Sequence, residues 1–311
     1  MIRAILRSVA LVAILLWPVS AGAQIFGRGA RTEFISGFGI RTFVSFLEAS
    51  HLLRNGQEVE DPLGRRFSVR VTQFVVAYGL LTRVSLIAMF PIVRKELRLT
   101  TPTGSETLGG DTGLGDATLL VKWRFLKRDR GRGSFQLAVT AGVKTPTGRD
   151  DLRDRKGNLL PASLQRGSGS WDPTADLNLT FVPPSGRGRW IFTANVGATL
   201  STAANGLEQG DRLGYDGMVK YRIFPARYPG RDTFLLLELN GRWQGRSRTL
   251  GVPIESSGGH LLYLSPGLQF LLLPNLVLEA GVQFPIRRSL NGTQLAPGVN
   301  ALAGLRYIIV P

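Results

Sequence analysis

Apolar and polar side chains alternate at every second position along most of the chain. From Gly115 to Phe125, Ala117, Leu119, Val121, Trp123 and Phe125 share one face. Asp116, Thr118, Lys122 and Arg124 share the other, together with Leu120. Ala175, Leu177, Leu179 and Phe181 oppose Asp172, Thr174, Asp176, Asn178 and Thr180 in the same way. Successive side chains of a strand point to opposite faces, so each segment reads as a strand with one apolar and one polar face. Twelve segments fit, near 40–53, 67–78, 83–93, 115–126, 134–144, 171–182, 189–200, 213–224, 233–244, 260–272, 276–286 and 299–309. Alternation is blurred between Ser45 and Glu48, and Gln73 breaks the second segment.

The connections add independent information. Those after even-numbered segments are short, such as Gly79 to Thr82 and Leu273 to Asn275. Those after odd-numbered segments are mostly longer, with Thr145 to Ser170 the longest and Arg94 to Leu114 next. An even strand count with alternating loop lengths predicts an all-β fold: a transmembrane, antiparallel, up-and-down β-barrel of about twelve strands, with short periplasmic turns and long external loops. A soluble sandwich also alternates, but gives no reason for its loops to do so. A closed barrel satisfies every backbone group without an edge, as lipid demands. Trp123, Phe125, Phe181, Trp190, Phe192, Tyr221, Phe234 and Trp243 lie near strand ends, where they are expected to form interfacial girdles.

The amino terminus sets the compartment. Arg3 and Arg7 precede an apolar run from Val9 to Val19, followed by Ala21-Gly22-Ala23. This is the pattern of a Sec signal peptide over residues 1–23, cut before Gln24. The run is shorter than the ~18–20 residues of a membrane anchor. Residues 24–39, Gly-rich and basic, are expected to be a periplasmic extension or a partial plug, and 40–311 the outer-membrane barrel. Removing Arg3 and Arg7 lowers the formal charge of +16 to +14 (16 − 2). Such a basic chain suggests nucleic acid. Export and the absence of a basic stripe exclude it. Basic turns at Lys127–Arg132, Arg187–Arg189 and Arg227–Arg231 would sit against anionic lipid, or simply in solvent. There is no cysteine, so no disulfide holds the fold.

Several stretches resemble one family of outer-membrane proteins, named for the meta-pathway of phenol degradation and described as transporter-like. They include Glu58-Val59-Glu60-Asp61-Pro62-Leu63-Gly64, Gly113-Leu114-Gly115-Asp116-Ala117-Thr118-Leu119-Leu120, Gly142-Val143-Lys144-Thr145-Pro146-Thr147-Gly148, Gly167-Ser168-Gly169-Ser170-Trp171-Asp172-Pro173, Leu264-Ser265-Pro266-Gly267-Leu268-Gln269 and Leu278-Glu279-Ala280-Gly281-Val282-Gln283. The resemblance implies an outer-membrane barrel that admits small organic molecules. Such barrels commonly end on an aromatic residue read by the barrel-assembly machinery, an expected partner. Here Tyr307 is followed by Ile308-Ile309-Val310-Pro311.

Chemistry-bearing motifs are few. A barrel hydrolase needs a histidine base, and His51 and His260 are the candidates, the latter after Ser256-Ser257-Gly258-Gly259. No G-x-S-x-G or H-E-x-x-H accompanies them, and no enzyme activity is expected. Asp111 to Asp116 lacks the residues of a P-loop or an EF-hand. Asp150, Asp151 and Asp154 interleave with Arg149, Arg153, Arg155 and Lys156, which favours local salt bridges over a metal. No cofactor or metal is implied.

The polar faces are more informative. They place Arg70, Asp116, Lys122, Arg124, Asp172, Asp176, Asp216, Lys220, Arg222, Glu238, Arg242, Glu279 and Arg306 toward the lumen, with Asn178, Asn195, Asn240 and Gln283. Buried charges must be paired or hydrated. They either line a hydrated, selective pore or pair across the lumen and close it. Twelve strands fall between filled eight-stranded barrels and wide porins. The expected function is a passive or gated conduit for small solutes, hydrophobic or aromatic ones among them. A sealed structural or adhesive barrel is the alternative. Oligomeric state and solute identity are open at this point.

Overall fold

The computed structural model describes residues 25–101, 104–131, 133–185, 188–224 and 232–310. The signal-peptide expectation over 1–23 therefore lies outside the described residues, as do Arg132, Arg187, Arg227 and Arg231 of the basic turns. Twelve long strands form the wall. They are β1 (Phe38–Arg54), β2 (Arg66–Leu81), β3 (Val84–Thr101), β4 (Thr118–Arg130), β5 (Gly133–Lys144), β6 (Asp172–Val182), β7 (Trp190–Thr199), β8 (Arg212–Phe224), β9 (Thr233–Gln244), β10 (Gly259–Leu273), β11 (Leu276–Leu290) and β12 (Thr293–Ile309). Each pairs antiparallel with its sequence neighbours. β12 returns to β1 from Phe38↔Ile309 to Arg54↔Thr293, which closes the barrel. Among the described residues no helix is long and apolar enough to cross a membrane.

Outward side chains such as Phe46, Phe74, Phe90, Leu119, Leu177 and Val196 are exposed. An apolar belt of this kind suits lipid rather than water. Near the short turns Trp123 contacts Phe125, and Phe135, Phe181, Phe192, Trp190 and Tyr221 lie in successive ring contacts, with centroids 4.5–6.5 Å apart. Phe234 departs from the girdle expectation. Leu236, its neighbour on the same face, is buried inside the barrel, and the Lys220 ammonium sits 4.0 Å from the Phe234 ring centroid. An aromatic at a strand end thus serves the interior where a lumenal cation covers it.

Two expected long loops are strand instead. β3 runs to Thr101, and Gly104–Leu114 pairs back onto it as a hairpin above the belt. β11 and β12 likewise extend to a turn at Asn291–Gly292. Their residues are polar and Gly-rich because these extensions stand in water, where alternation is no longer enforced by lipid. The same reason corrects Arg70. It is exposed on the outside, with its guanidinium 5.2 Å from the Phe46 ring centroid. It belongs to a solvated charged skirt with the Arg66–Glu48 and Arg94–Glu96 pairs.

Lipid contact generates a stability prediction. Val219 on β8 is exposed on the belt while Lys220 points inward and is buried. Val219→Arg should destabilise the folded barrel by about 2–4 kcal/mol, less if it sits near an interface. Urea titration of the barrel in lipid vesicles measures it. An unchanged midpoint would place this face away from lipid.

Candidate functional site

The lumen has two unlike walls. On β1–β3 the inward residues are largely apolar, with Phe43, Val69, Val75, Met89, Val93 and Leu97 all buried. The rest of the circumference is polar, and its charges pair between strands. Asp216 on β8 accepts from Arg242 on β9 at 2.7 Å and from Asn240 at 2.7 Å. Lys144 on β5 bridges Asp116 at 3.0 Å and Asp172 at 2.9 Å, and Arg212 reaches Asp172 at 3.5 Å. Glu279 on β11 is held between Arg41 and Arg306. Arg222 lies 3.6 Å from Asp232. Arg124, near the short turns, donates to the Thr82 carbonyl at 2.7 Å.

The structure thus turns every sequence-predicted lumenal charge inward except Arg70. It adds Arg41, Lys95 and Arg28, which alternation does not mark, and Lys144, which alternation puts on the polar face of its strand with Gln136 and Thr140. Arg41 sat in the segment with blurred alternation, and Lys95 and Lys144 were assigned to a loop and a strand end. Gln73, the exception in its segment, is buried inside the barrel and marks the true inner face of β2.

The lower half of the lumen is filled by the chain itself. Ile25, Phe26, Arg28 and Ala30 are buried. Residues 25–37 enter at the end where β1 begins and climb inside the wall. Glu33 N–H donates to Ser85 Oγ at 2.9 Å, Ala30 N–H to Thr180 Oγ1 at 2.9 Å and Arg28 N–H to Asn195 Oδ1 at 3.0 Å. At mid-barrel the Glu238 carboxylate accepts the N–H of Ile25 at 2.7 Å and of Phe26 at 3.2 Å. The Arg28 guanidinium pairs with Asp176, and Lys122 donates to the Gly29 carbonyl at 2.8 Å.

The wall is shaped for this segment. Gly267 and Gly281 pair across β10 and β11, and a Cβ at Gly267 would overlap Ile25 Cδ1. A Cβ at Gly281 would come within 2.9 Å of Phe26 Cε2. At Gly79 a side chain would overlap the Phe34 carbonyl. Burying Ile25 and Phe26 contributes about 1.5–3 kcal/mol each. The buried Arg28–Asp176 pair adds little net stability, because desolvation offsets its attraction. Its integrity matters more, since either partner alone would be stranded.

Above the segment lies a cavity of about 170 Å³. Phe26 forms its floor, and Phe43, Leu47, Val71 and Met89 one side. Arg166, Gly167 and Ser168 cover it from the long connection between β5 and β6. Asp116 fastens this connection by accepting from Gly148 N–H at 3.0 Å and Ser168 N–H at 2.9 Å.

Outside the lumen, His51 Nδ1 lies 2.7 Å from Glu58, and His260 Nε2 lies 2.9 Å from the Tyr215 hydroxyl. Neither contact forms a nucleophile–base–acid relay. Arg149 pairs with Asp151 at 3.0 Å. Asp154 is held below the ordinary carboxylate range by the Asn158 side-chain amide, with the Asn158 and Lys156 N–H groups adding to it.

The family described as "Putative MetA-pathway of phenol degradation" matches residues 58–290, well over half the chain. The chain belongs to this family. Among solved structures it is similar to an outer membrane channel from Pseudomonas putida F1, at 15% identity and a TM-score of 0.67, covering 94% of this chain and 100% of that one. At that identity the likeness shows the shared barrel fold. The beta domain of the Bordetella autotransporter BrkA gives a TM-score of 0.44 at 14% identity, covering 86% of this chain and 98% of that one. The translocator domain of the autotransporter NalP from Neisseria meningitidis gives 0.44 at 10%, covering 88% and 89%. No curated protein matches the chain.

The Arg28–Asp176 pair makes a prediction for this family member. Asp176→Asn leaves Arg28 buried without its counter-charge, at a cost of about 3–5 kcal/mol if the segment stays in place. The segment should instead leave the lumen. Trypsin should then cut after Arg28 or Arg31 faster than in the unaltered barrel, while the heat-modifiable gel mobility of the folded wall persists. Equal cleavage rates would show that the pair does not hold the segment.

Proposed function

We propose that this protein is a gated outer-membrane conduit for small organic solutes, with residues 25–34 as its plug. The carrying observation is the division of the lumen: a cavity on one side, and on the other a segment seated in glycine notches but tied to the wall only by side chains. Among the described residues, 25–34 make no backbone–backbone hydrogen bond to the wall; the first are Ser36 N–H to the Gly79 carbonyl at 2.7 Å and Gly79 N–H to the Gly37 carbonyl at 2.9 Å, so the segment can withdraw without breaking any strand pairing. Export with cleavage before Gln24 would free its amino end. The P. putida neighbour, described as an outer membrane channel, supports the reading. So does the family's association with phenol degradation, which suits an apolar or aromatic solute.

In planar bilayers the unaltered barrel should show rare openings. Gly267→Leu, which fills the Ile25 notch, should raise the open fraction, and deletion of residues 25–31 should raise it further. The paired charges favour a second reading, a sealed structural barrel. That reading replaces the first if both variants fold and neither conducts.

Orientation follows from the same proposal. A cysteine at Asn158 should react with an impermeant thiol reagent on whole cells. One at Asp129 should react only after the outer membrane is opened. The reverse pattern would put the cavity on the periplasmic side and the plug outside.

A further inference from the structure

The charges around the outer cavity are unequal in a way that the pairing network does not need. Five cations line it: Lys95, Lys144, Arg166, Arg212 and Arg242. Four carboxylates stand within ion-pair distance of them: Asp116, Asp172, Asp216 and, for Arg166, Asp111 at 3.3 Å. Lys95 is left over. It is buried, it lines the cavity, and its ammonium donates to the Gln165 carbonyl at 2.5 Å. Among the described residues no carboxylate lies within ion-pair distance of it. An ammonium has three donors, and that bond occupies one.

The lining offers nothing comparable to a cation. Asp116 is the one carboxylate among the lining residues. Both of its oxygens are taken, by Gly148 N–H, Ser168 and Lys144. Arg166 also lines the cavity; its guanidinium pairs with Asp111, and its Nε is buried without a hydrogen-bond partner. Opposite these donors stands the apolar wall of Phe43, Leu47, Val69, Val71, Met89 and Val93. The size is informative as well. An apolar cavity of about 150 Å³ takes one benzene ring, and this one measures about 170 Å³.

We propose that the outer cavity is a binding site for a small aromatic carboxylate, its ring against β1–β3 and its carboxylate on Lys95 and Arg166. The proposal rests on the conduit reading for its physiological sense, and it narrows the solute from any small organic molecule to an amphiphilic anion. A neutral phenol would fill the apolar side and leave the Lys95 donors unanswered. A buried donor without a partner is costly, so the anion should win.

The test is calorimetric titration of the full mature protein in detergent with benzoate, benzyl alcohol and benzylammonium. Benzoate should bind tightest and benzylammonium weakest. Lys95→Met should weaken benzoate by about tenfold or more, the loss of one charge-assisted hydrogen bond, and leave benzyl alcohol unchanged. Lys95→Arg should restore part of the loss. Arg166→Gln, in the external connection and outside every strand, should weaken benzoate in the same direction. It decides the matter alone if Lys95→Met fails to show the heat-modifiable mobility of a folded barrel. The proposal is overturned if benzyl alcohol binds as tightly as benzoate, or if the variants weaken both ligands alike. Plug removal that opens conductance while benzoate fails to bind overturns the anion site and leaves the conduit standing. Benzoate binding with the expected variant pattern in a barrel that never conducts supports the site and overturns the conduit.

Discussion

A charge turned into the lumen of a narrow barrel has no bulk water to hydrate it, and an isolated one costs several kcal/mol. The interior of this protein is organised by that cost. Wall-to-wall pairs meet part of it: Arg242 with Asp216, Arg41 and Arg306 with Glu279, and Lys144 with Asp116 and Asp172. Others are met by the amino-terminal segment. Glu238 receives two of its N–H groups, Asp176 its only described arginine, and Lys122 two of its carbonyls. The plug and the wall are therefore electrostatic complements. The wall is incomplete without this segment.

The apolar wall of β1–β3 has a different origin. These strands carry apolar residues on both faces, one toward lipid and one toward Phe26 and the cavity. Ile25 and Phe26 need an apolar partner surface, and this arc supplies it through Phe43, Val75, Ala77 and Met89. The same arc continues upward beside the cavity. One stretch of wall thus seats the plug and gives the cavity its amphipathic character. The connection between β5 and β6, pinned by Asp116, completes the cavity on the side away from the segment.

The period-two alternation was enough to determine the fold class, the strand number and the inward direction of charges such as Lys122, Asp176, Asp216, Lys220 and Glu238. Lipid outside and paired polar groups inside leave no other arrangement for such a strand. Alternation lost its force in two places. On β1 the faces are mixed, so Arg41 was missed; Arg70 went to the wrong side because that part of β2 already stands in water. Beyond the lipid, in the upper parts of β3, β11 and β12, water accepts either face, and strands there looked like loops.

Local pattern therefore determined the wall, because lipid acts on each residue separately. What lies inside was decided by tertiary structure. Whether residues 24–39 hang free or enter the barrel depends on notches at Gly267 and Gly281, more than two hundred positions away, and on an acid at Glu238. The cavity depends on Lys95, Arg166 and Phe43 meeting across strands and loops that share no local signal. Such complementarity exists only once the barrel has closed, since closure alone brings those surfaces within hydrogen-bonding and van der Waals reach.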